Sequence, residues 1–148
     1  MNLLLIDTNL LIYAHDANSP DAQARAEALL DHLQQTGQGV LSVQCLAEFA
    51  SVSMRRLRPP MTAAEAYSQV ERLMRAYRVL DLTSAVVLEA VRGVREHRLA
   101  YYDAQLWAIA RLNQIPVILT EDFNTGATLE GVRFVNPFAP DFVLENWA

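Results

Sequence analysis

Residues 3–9, LLLIDTN, are the segment that best indicates how this chain folds. Its first four residues form an unbroken apolar run, which is typical of a short strand buried on both faces of a parallel sheet. Asp7 ends the run, and the side chains of Asp7, Thr8 and Asn9 favour helix N-termini. The pattern therefore predicts a strand that ends on an acidic residue and leads directly into a short helix over residues 10–14.

Similar short apolar runs recur along the chain and alternate with helical patterns. Further strands are predicted at residues 39–42, 79–82, 116–119 and 132–135. Further helices are predicted at residues 19–35, 43–56, 62–77, 83–97 and 102–113. These strands lack the polar–apolar alternation of an open antiparallel sheet. We therefore expect an α/β fold, a three-layer α/β/α sandwich around a mostly parallel sheet of about five strands, with residues 1–148 as one domain.

The composition excludes several classes of enzyme. All 12 basic residues are Arg, and the absence of Lys excludes a Walker-A phosphate loop and Schiff-base chemistry. No GxGxxG, GxSxG or CxxC motif is present, so dinucleotide binding, serine hydrolysis and a zinc ribbon have no support. The net charge of −5 disfavours nucleic-acid binding, unless several acids are clustered ligands whose charge a bound cation cancels.

Cysteine content and hydropathy predict the compartment. The single Cys45 rules out an intramolecular disulfide and fits a reducing environment. Asp7 interrupts the N-terminal apolar run and no basic segment precedes it, so we expect no signal peptide. No apolar stretch approaches the ~20 residues that span a bilayer. We therefore expect a cytoplasmic protein that has no membrane partner.

Two acidic residues follow predicted strands. Asp7 comes directly after the first strand, and Asp122 follows the strand at residues 116–119. Because the carboxyl ends of parallel strands share one edge of a sheet, both carboxylates are expected there. Asp103 lies in the first turn of a predicted helix, and Glu48 lies within another. Clustered carboxylates repel each other, and a hard divalent cation such as Mg²⁺ or Mn²⁺ would relieve that repulsion.

Each of these acids also has a structural interpretation. Asp7 is a suitable helix cap, and the helix dipole favours an acid such as Asp103 in a first turn whether or not a metal binds. Glu48 fits a solvated helix position, and Asp122 fits an ordinary loop. Spacing alone therefore does not distinguish a metal site from four unrelated acids.

Four segments resemble the motifs of PIN-domain ribonucleases, in particular the VapC-type toxins of type II toxin–antitoxin systems. Residues 4–9, an apolar strand followed by Asp-Thr-Asn, resemble the opening of the family. Residues 42–49 resemble its second element, with Glu48 six residues after Ser42. Residues 102–104 match an Asp that begins a helix after an aromatic residue, and residues 119–122 match a strand that ends in Thr-x-Asp. Residues 131–138 are similar to the ending of many toxin members.

The resemblance implies a site and an activity. Asp7, Glu48, Asp103 and Asp122 would hold one or two Mg²⁺ or Mn²⁺ ions. Asn9 and Thr120 would orient the ligands or the attacking water. Water activated by the metal would hydrolyse RNA phosphodiester bonds and leave 5′-phosphate and 3′-hydroxyl ends. Glu121 adjoins Asp122, and the family spacing favours Asp122 as the ligand.

The resemblance also implies partners: an RNA substrate, a second copy of the chain in a homodimer, and a small antitoxin that silences the toxin. Arg95 and Arg98 lie shortly before Asp103 and are candidates for contact with the RNA backbone. Solvated helix ends explain these arginines equally well, and also explain the cluster of arginines at residues 55–58.

Two alternative functions stay open at this point. One is a small metal-dependent phosphohydrolase that acts on nucleotides or phosphoproteins. The other is a PIN-like binding module without turnover, although degenerate members generally lose acids that this chain retains. Comparing RNA with small phosphoesters as substrates would separate these alternatives from a ribonuclease.

Overall fold

The computed structural model describes residues 2–121 and 126–147. Within these ranges the strands are β1 (Leu4–Ile6), β2 (Gly39–Ser42), β3 (Arg78–Leu80), β4 (Val117–Leu119), β5 (Thr128–Leu129) and β6 (Val132–Val135). They form one sheet in the order β3-β2-β1-β4-β6-β5. Neighbouring strands are parallel, except that β5 pairs antiparallel with β6. The predicted mostly parallel sheet is therefore confirmed.

The helices within the same ranges are α1 (Thr8–Tyr13), α2 (Pro20–Thr36), α3 (Val43–Arg55), α4 (Ala63–Ala76), α5 (Ser84–His97) and α6 (Tyr101–Leu112), followed by a 3-10 turn at Leu144–Asn146. Side-chain caps begin four of them, because Asp7, Ser42, Thr62 and Thr83 each accept a hydrogen bond from a backbone amide of the first turn. Local capping therefore explains why most predicted helix starts lie close to the observed ones.

The sheet separates two hydrophobic cores. Side chains alternate along β1, so that Leu5 packs with α5 and α6 on one face, whereas Leu4 and Ile6 pack with α1, α2 and α3 on the other. Trp107 is fully buried in the first core. A Cβ atom at Gly93 would lie 2.8 Å from the Trp107 ring, so the close packing of α5 on α6 requires glycine. The architecture is the predicted α/β/α sandwich.

The sequence did not predict every detail of the sheet. The described residues contain six strands where about five were expected, because β5 has only two residues and no hydrophobic pattern of its own. Strand β3 ends at Leu80, although the apolar pattern extended to residue 82. None of the described helices combines the length and the apolar character needed to cross a bilayer.

Candidate functional site

Strands β1 and β4 end side by side and place two polar residues at one edge of the sheet. Ile6 pairs with Leu119, and the backbone N–H of Asp7 donates to the Leu119 carbonyl at 3.0 Å. Thr120 is buried directly after β4, and its hydroxyl donates to Asp7 Oδ2 at 2.7 Å. The predicted meeting of these two strand ends is confirmed, and Thr120 contacts Asp7.

Both carboxylate oxygens of Asp7 are hydrogen-bonded. Oδ1 accepts from the backbone N–H of Thr8 at 2.7 Å, so that Asp7 caps α1, and Oδ2 accepts from Thr120. The side chain is half-buried. The helix-cap interpretation of Asp7 is therefore correct, and the same contacts hold its carboxylate in one orientation at the sheet edge.

Helix α3 brings Glu48 to the same place. Ser42 caps this helix by accepting from the Cys45 backbone N–H at 3.1 Å, and Glu48 follows in the second turn. The Thr8 hydroxyl donates to Glu48 Oε2 at 3.4 Å, while the Gln44 amide donates to Glu48 Oε1 at 2.9 Å. Because Thr8 contacts both Asp7 and Glu48, these two predicted acids lie together although they are far apart in sequence.

Asp103 and Asp122 complete the predicted set of acids. Asp103 lies half-buried in the first turn of α6. The amide of Gln44 that contacts Glu48 also donates to the Tyr102 carbonyl at 3.2 Å, so this first turn lies beside Glu48. Asp122 lies outside the described residues. Within 2–121 and 126–147, no group of three His, Cys, Asp or Glu side chains could hold a metal ion.

A cleft of about 510 Å³ opens where α1 meets the end of α3. We call it the acidic cleft; its lining includes Thr8, Asn9, Tyr13, Glu48, Arg56, Arg58 and Glu121. The Tyr13 hydroxyl donates to Glu121 Oε1 at 2.8 Å. Both polar atoms of the Asn9 side chain are buried and lack a hydrogen-bond partner in the described part of the chain. Unpartnered buried amide atoms are costly, so this side chain favours a polar ligand.

Two of the predicted acids meet here, and their donor atoms are of the type that a hard divalent cation takes. The carboxylates of Asp7 and Glu48 supply oxygen atoms, and Asn9, a residue of the cleft lining, has a buried amide without a partner among the described residues. Mg²⁺ and Mn²⁺ prefer oxygen donors of this type. A complete ligand set needs acids beyond this pair, and Asp103 and Asp122 as those ligands stay a prediction.

Some of the candidate arginines line the acidic cleft, whereas Arg95 and Arg98 belong to α5 and its C-terminal end. Arg56 and Arg58 line the cleft beside Glu48. Arg95 instead pairs with Glu96 on α5 at 3.0 Å, and Arg98 is the left-handed residue that ends α5. Neither Arg95 nor Arg98 is among the residues that line the cleft.

Sequence reasoning missed the polar residues that support the acids. Gln44 and Gln105 are buried beneath Glu48, and Tyr13 contacts Glu121 within the acidic cleft. The spacing of Gln44 four residues before Glu48 was the one local signal, because residues at i and i+4 of a helix are neighbours. The contact between Gln44 and Gln105 has no local signal.

Comparison with known proteins agrees with this geometry. Among curated protein sequences no significant match was found. The fold is similar to a solved toxin–antitoxin complex from Klebsiella pneumoniae, with a TM-score of 0.68 and 18% identity over 91% of this chain and 98% of that one. It is also similar to VapC20 from Mycobacterium tuberculosis, a toxin that cleaves the sarcin–ricin loop, with a TM-score of 0.65 and 21% identity over 88% of this chain and 98% of that one.

A third similar structure is the DNA-bound VapBC complex from Salmonella typhimurium, with a TM-score of 0.65 and 15% identity over 93% of this chain and 99% of that one. At such identities these matches show a shared fold. Comparison with protein families matches residues 4–126 to the PIN domain. That match covers most of the sequence and includes β1, α3 and α6, the elements that carry the described acids. The chain therefore belongs to the PIN-domain family.

Proposed function

We propose that this chain is a divalent-metal-dependent endoribonuclease that acts as the toxin of a toxin–antitoxin pair in the cytoplasm, with residues 1–148 as a single PIN-like domain. The observation that carries the proposal is the contact of Thr8 with both Asp7 and Glu48, which joins two distant carboxylates at the carboxyl edge of a parallel sheet. Open α/β folds bind their ligands at this edge.

Asp7, Glu48, Asp103 and Asp122 are the proposed ligands of Mg²⁺ or Mn²⁺. When bound, such a cation supplies an activated water and neutralises charge on the phosphate oxygens. Thr120 orients the Asp7 carboxylate through its hydroxyl, and Asn9 offers its unpartnered amide to a ligand or a water. Because hydrogen bonds already fix Asp7 and Glu48, little reorganisation is needed when a substrate phosphate arrives.

The surroundings of the acids favour a polymeric substrate over a small phosphoester. Arg56 and Arg58 line the same cleft as Glu48 and add positive charge to it. A nucleic-acid strand presents phosphates on both sides of the scissile bond, and arginine binds phosphate in a bidentate manner. A small phosphoester has no such flanking phosphates. Contact of RNA with Arg95 and Arg98 stays a separate proposal.

An antitoxin and a second copy of the chain are the proposed partners. Similar structures were solved as a toxin–antitoxin complex and as a DNA-bound VapBC complex. On this chain, an apolar groove of about 460 Å³, lined by Met54, Tyr67 and Met74 of α3 and α4, suits an antitoxin helix. The apolar face of α5, where Leu88 is 75% exposed, suits a second copy. Co-purification with the product of a neighbouring reading frame and light scattering test these two partners.

The decisive experiment measures cleavage of a labelled RNA by wild type and by the variants Asp7→Asn, Glu48→Gln and Asp103→Asn, with Mg²⁺, with Mn²⁺ and with EDTA. We expect each variant to lose at least about 100-fold in activity while its circular dichroism spectrum stays that of the wild type. Asp31→Asn, which changes an exposed acid of α2, is the matched control and should stay active.

The same experiment separates the two alternatives. Turnover of p-nitrophenyl phosphate without RNA cleavage would identify a small phosphohydrolase. Binding of RNA without turnover of either substrate would identify a binding module. Full RNA cleavage by Asp7→Asn or Asp103→Asn would disprove the metal assignment.

A further inference from the structure

A chain of hydrogen bonds runs behind Glu48 and ends on its carboxylate. The Tyr101 hydroxyl donates to Gln105 Oε1 at 2.9 Å, and Gln105 Nε2 donates to Gln44 Oε1 at 2.9 Å. Gln44 Nε2 then donates to Glu48 Oε1 at 2.9 Å and to the Tyr102 carbonyl at 3.2 Å. We call Tyr101, Gln105 and Gln44 the amide relay. It links α6 to α3 across the interior.

The orientation of both amides follows from the chemistry of their partners. An ionised carboxylate and a backbone carbonyl only accept hydrogen bonds, so the NH₂ group of Gln44 must face them. Its Oε1 atom must then face Gln105, which has to donate through its own NH₂ group. Gln105 Oε1 is left to accept from Tyr101. Each donor in the amide relay therefore points toward Glu48, an arrangement in which successive hydrogen bonds strengthen one another.

The amide relay is shielded from solvent. Gln44 is 8% exposed and Gln105 is 4% exposed, so water competes little for these hydrogen bonds. Two buried glutamines are uncommon in a core, because a buried amide must have its hydrogen bonds satisfied. Here the two amides satisfy each other, and Gln44 directs its N–H groups to Glu48 and to the first turn of α6.

The end of the amide relay connects two of the proposed metal ligands. Gln44 Nε2 contacts Glu48 directly, and it contacts the carbonyl of Tyr102, the residue before Asp103. One amide group thus sets the distance between the Glu48 carboxylate and the helix turn that carries Asp103. We infer that Gln44, held by Gln105, is a positioning residue that fixes Glu48 relative to Asp103 for metal binding. The inference rests on the proposed function.

The test compares wild type with Gln44→Met and with the double variant Gln44→Met/Gln105→Met. The single variant leaves Gln105 without an acceptor and is expected to be less stable. The double variant removes both amides, keeps the buried volume and leaves no amide unpaired, so it should fold. The matched control is Gln38→Met, because Gln38 is equally buried but donates to Asn2 at the other end of the sheet.

Mn²⁺ binding by calorimetry and the separate kcat and KM for RNA cleavage are the readouts. We expect the double variant to bind Mn²⁺ about 10- to 100-fold more weakly and to lose kcat by a similar factor, as is typical when a group that orients a ligand is removed. The KM for RNA should stay within about twofold, because the amide relay does not line the acidic cleft. Gln38→Met should match wild type in all three values.

The outcomes separate the inference from the proposed function. A folded double variant with the Mn²⁺ affinity and kcat of the wild type overturns the positioning role and leaves the ribonuclease proposal intact. A lower melting temperature with unchanged Mn²⁺ affinity likewise overturns it, since the glutamines would then only stabilise the core. If the wild type neither binds Mn²⁺ nor cleaves RNA, the proposed function fails, and the positioning role fails with it.

Discussion

At the scale of single residues, Arg56 is placed to contact a substrate. It is exposed at the C-cap of α3, lines the acidic cleft beside Glu48, and has no ion pair within the described residues. Arg58 is more constrained, because its Nη1 atom donates to the carbonyls of Arg55 and Leu57. Among residues 2–121 and 126–147, no hydrogen bond or ion pair holds the Arg56 guanidinium, so its donors can be offered to a phosphate.

We predict that Arg56→Ala weakens binding of a single-stranded RNA, measured in EDTA, by about 3- to 10-fold. The slope of log affinity against log salt concentration should also become shallower, by an amount that corresponds to about one phosphate contact. Fluorescence anisotropy at several salt concentrations measures both. Arg55→Ala is the matched control, because Arg55 is the neighbouring residue, bonds to Ser51 and does not line the cleft. Equal losses of RNA affinity in Arg56→Ala and Arg55→Ala would show a general effect of charge. Arg98→Ala tests the separate proposal that Arg98, at the end of α5, contacts the RNA.

Cys45, in contrast to the exposed Arg56, has a reactive type of side chain that its buried position makes inert. It is fully buried, and its thiol donates to the Ile6 carbonyl at 3.3 Å. Burial, followed by the nearby charge of Asp7, raises the pKa of the Cys45 thiol to about 12. Cys45 is therefore a small core residue with an unreactive thiol.

We predict that the native protein resists labelling by Ellman's reagent at pH 8 and reacts fully after unfolding in guanidinium. Because the folded-state pKa of Cys45 lies above the ordinary value of 9.0, its contribution to stability is complete below pH 9.0 and is lost as the pH rises toward about 12. Cys45→Ala should show a weaker loss of stability over that range. Rapid labelling of the folded protein would contradict the buried position.

At the scale of elements, Glu130 ties the β5–β6 turn to α5 and α6. Its carboxylate pairs with Arg92 at 3.0 Å, His97 at 2.6 Å and Arg111 at 3.5 Å. The hydrogen bond from Arg92, followed by that from His97, lowers the pKa of Glu130 to about 2. The network therefore holds the small antiparallel hairpin against the two helices that cover that face of the sheet.

We predict that Glu130→Gln lowers the melting temperature at pH 7 by about 2–4 °C, the scale of a weak surface network in a chain of this size. Because the folded-state pKa of Glu130 lies below 4.5, the wild type keeps this advantage above pH 4.5 and loses it as the pH falls toward about 2. Urea unfolding of wild type and Glu130→Gln from pH 7 to pH 3 measures the difference between their free energies of unfolding. Glu71→Gln, which removes one exposed ion pair with Arg75, should have a smaller effect.

At the scale of the whole molecule, the acids that would bind a cation also limit stability. The net charge is −5, and two carboxylates from distant parts of the chain, Asp7 and Glu48, lie together at one sheet edge. Repulsion among them opposes folding when no cation is bound. Binding of a cation to the folded state alone shifts the equilibrium toward that state by mass action.

We predict that Mg²⁺ or Mn²⁺ at about 100 times its dissociation constant raises the melting temperature by about 5–10 °C. Asp103→Asn should raise the melting temperature of the metal-free protein and reduce the response to metal. Differential scanning calorimetry measures both effects, with Asp31→Asn as the control. A wild type that shows no response to either metal would count against the whole acidic site.

Local sequence patterns were enough to predict the order of strands and helices, most of the helix starts and the placement of Asp7 at the end of a strand. These features are local, because hydrophobic periodicity and capping act over a few neighbouring residues. The resemblance to the family added the proposal that Glu48 and Asp103 are metal ligands, a role that no local pattern indicates.

Which distant side chains contact each other became clear only from the folded chain. It joined Asp7 to Glu48 through Thr8, paired Gln44 with Gln105, and put Arg56 in the acidic cleft. Contacts of this kind connect residues tens of positions apart and depend on how whole helices pack against the sheet. That packing is set by the summed burial of both cores, so no short stretch of the sequence could reveal it.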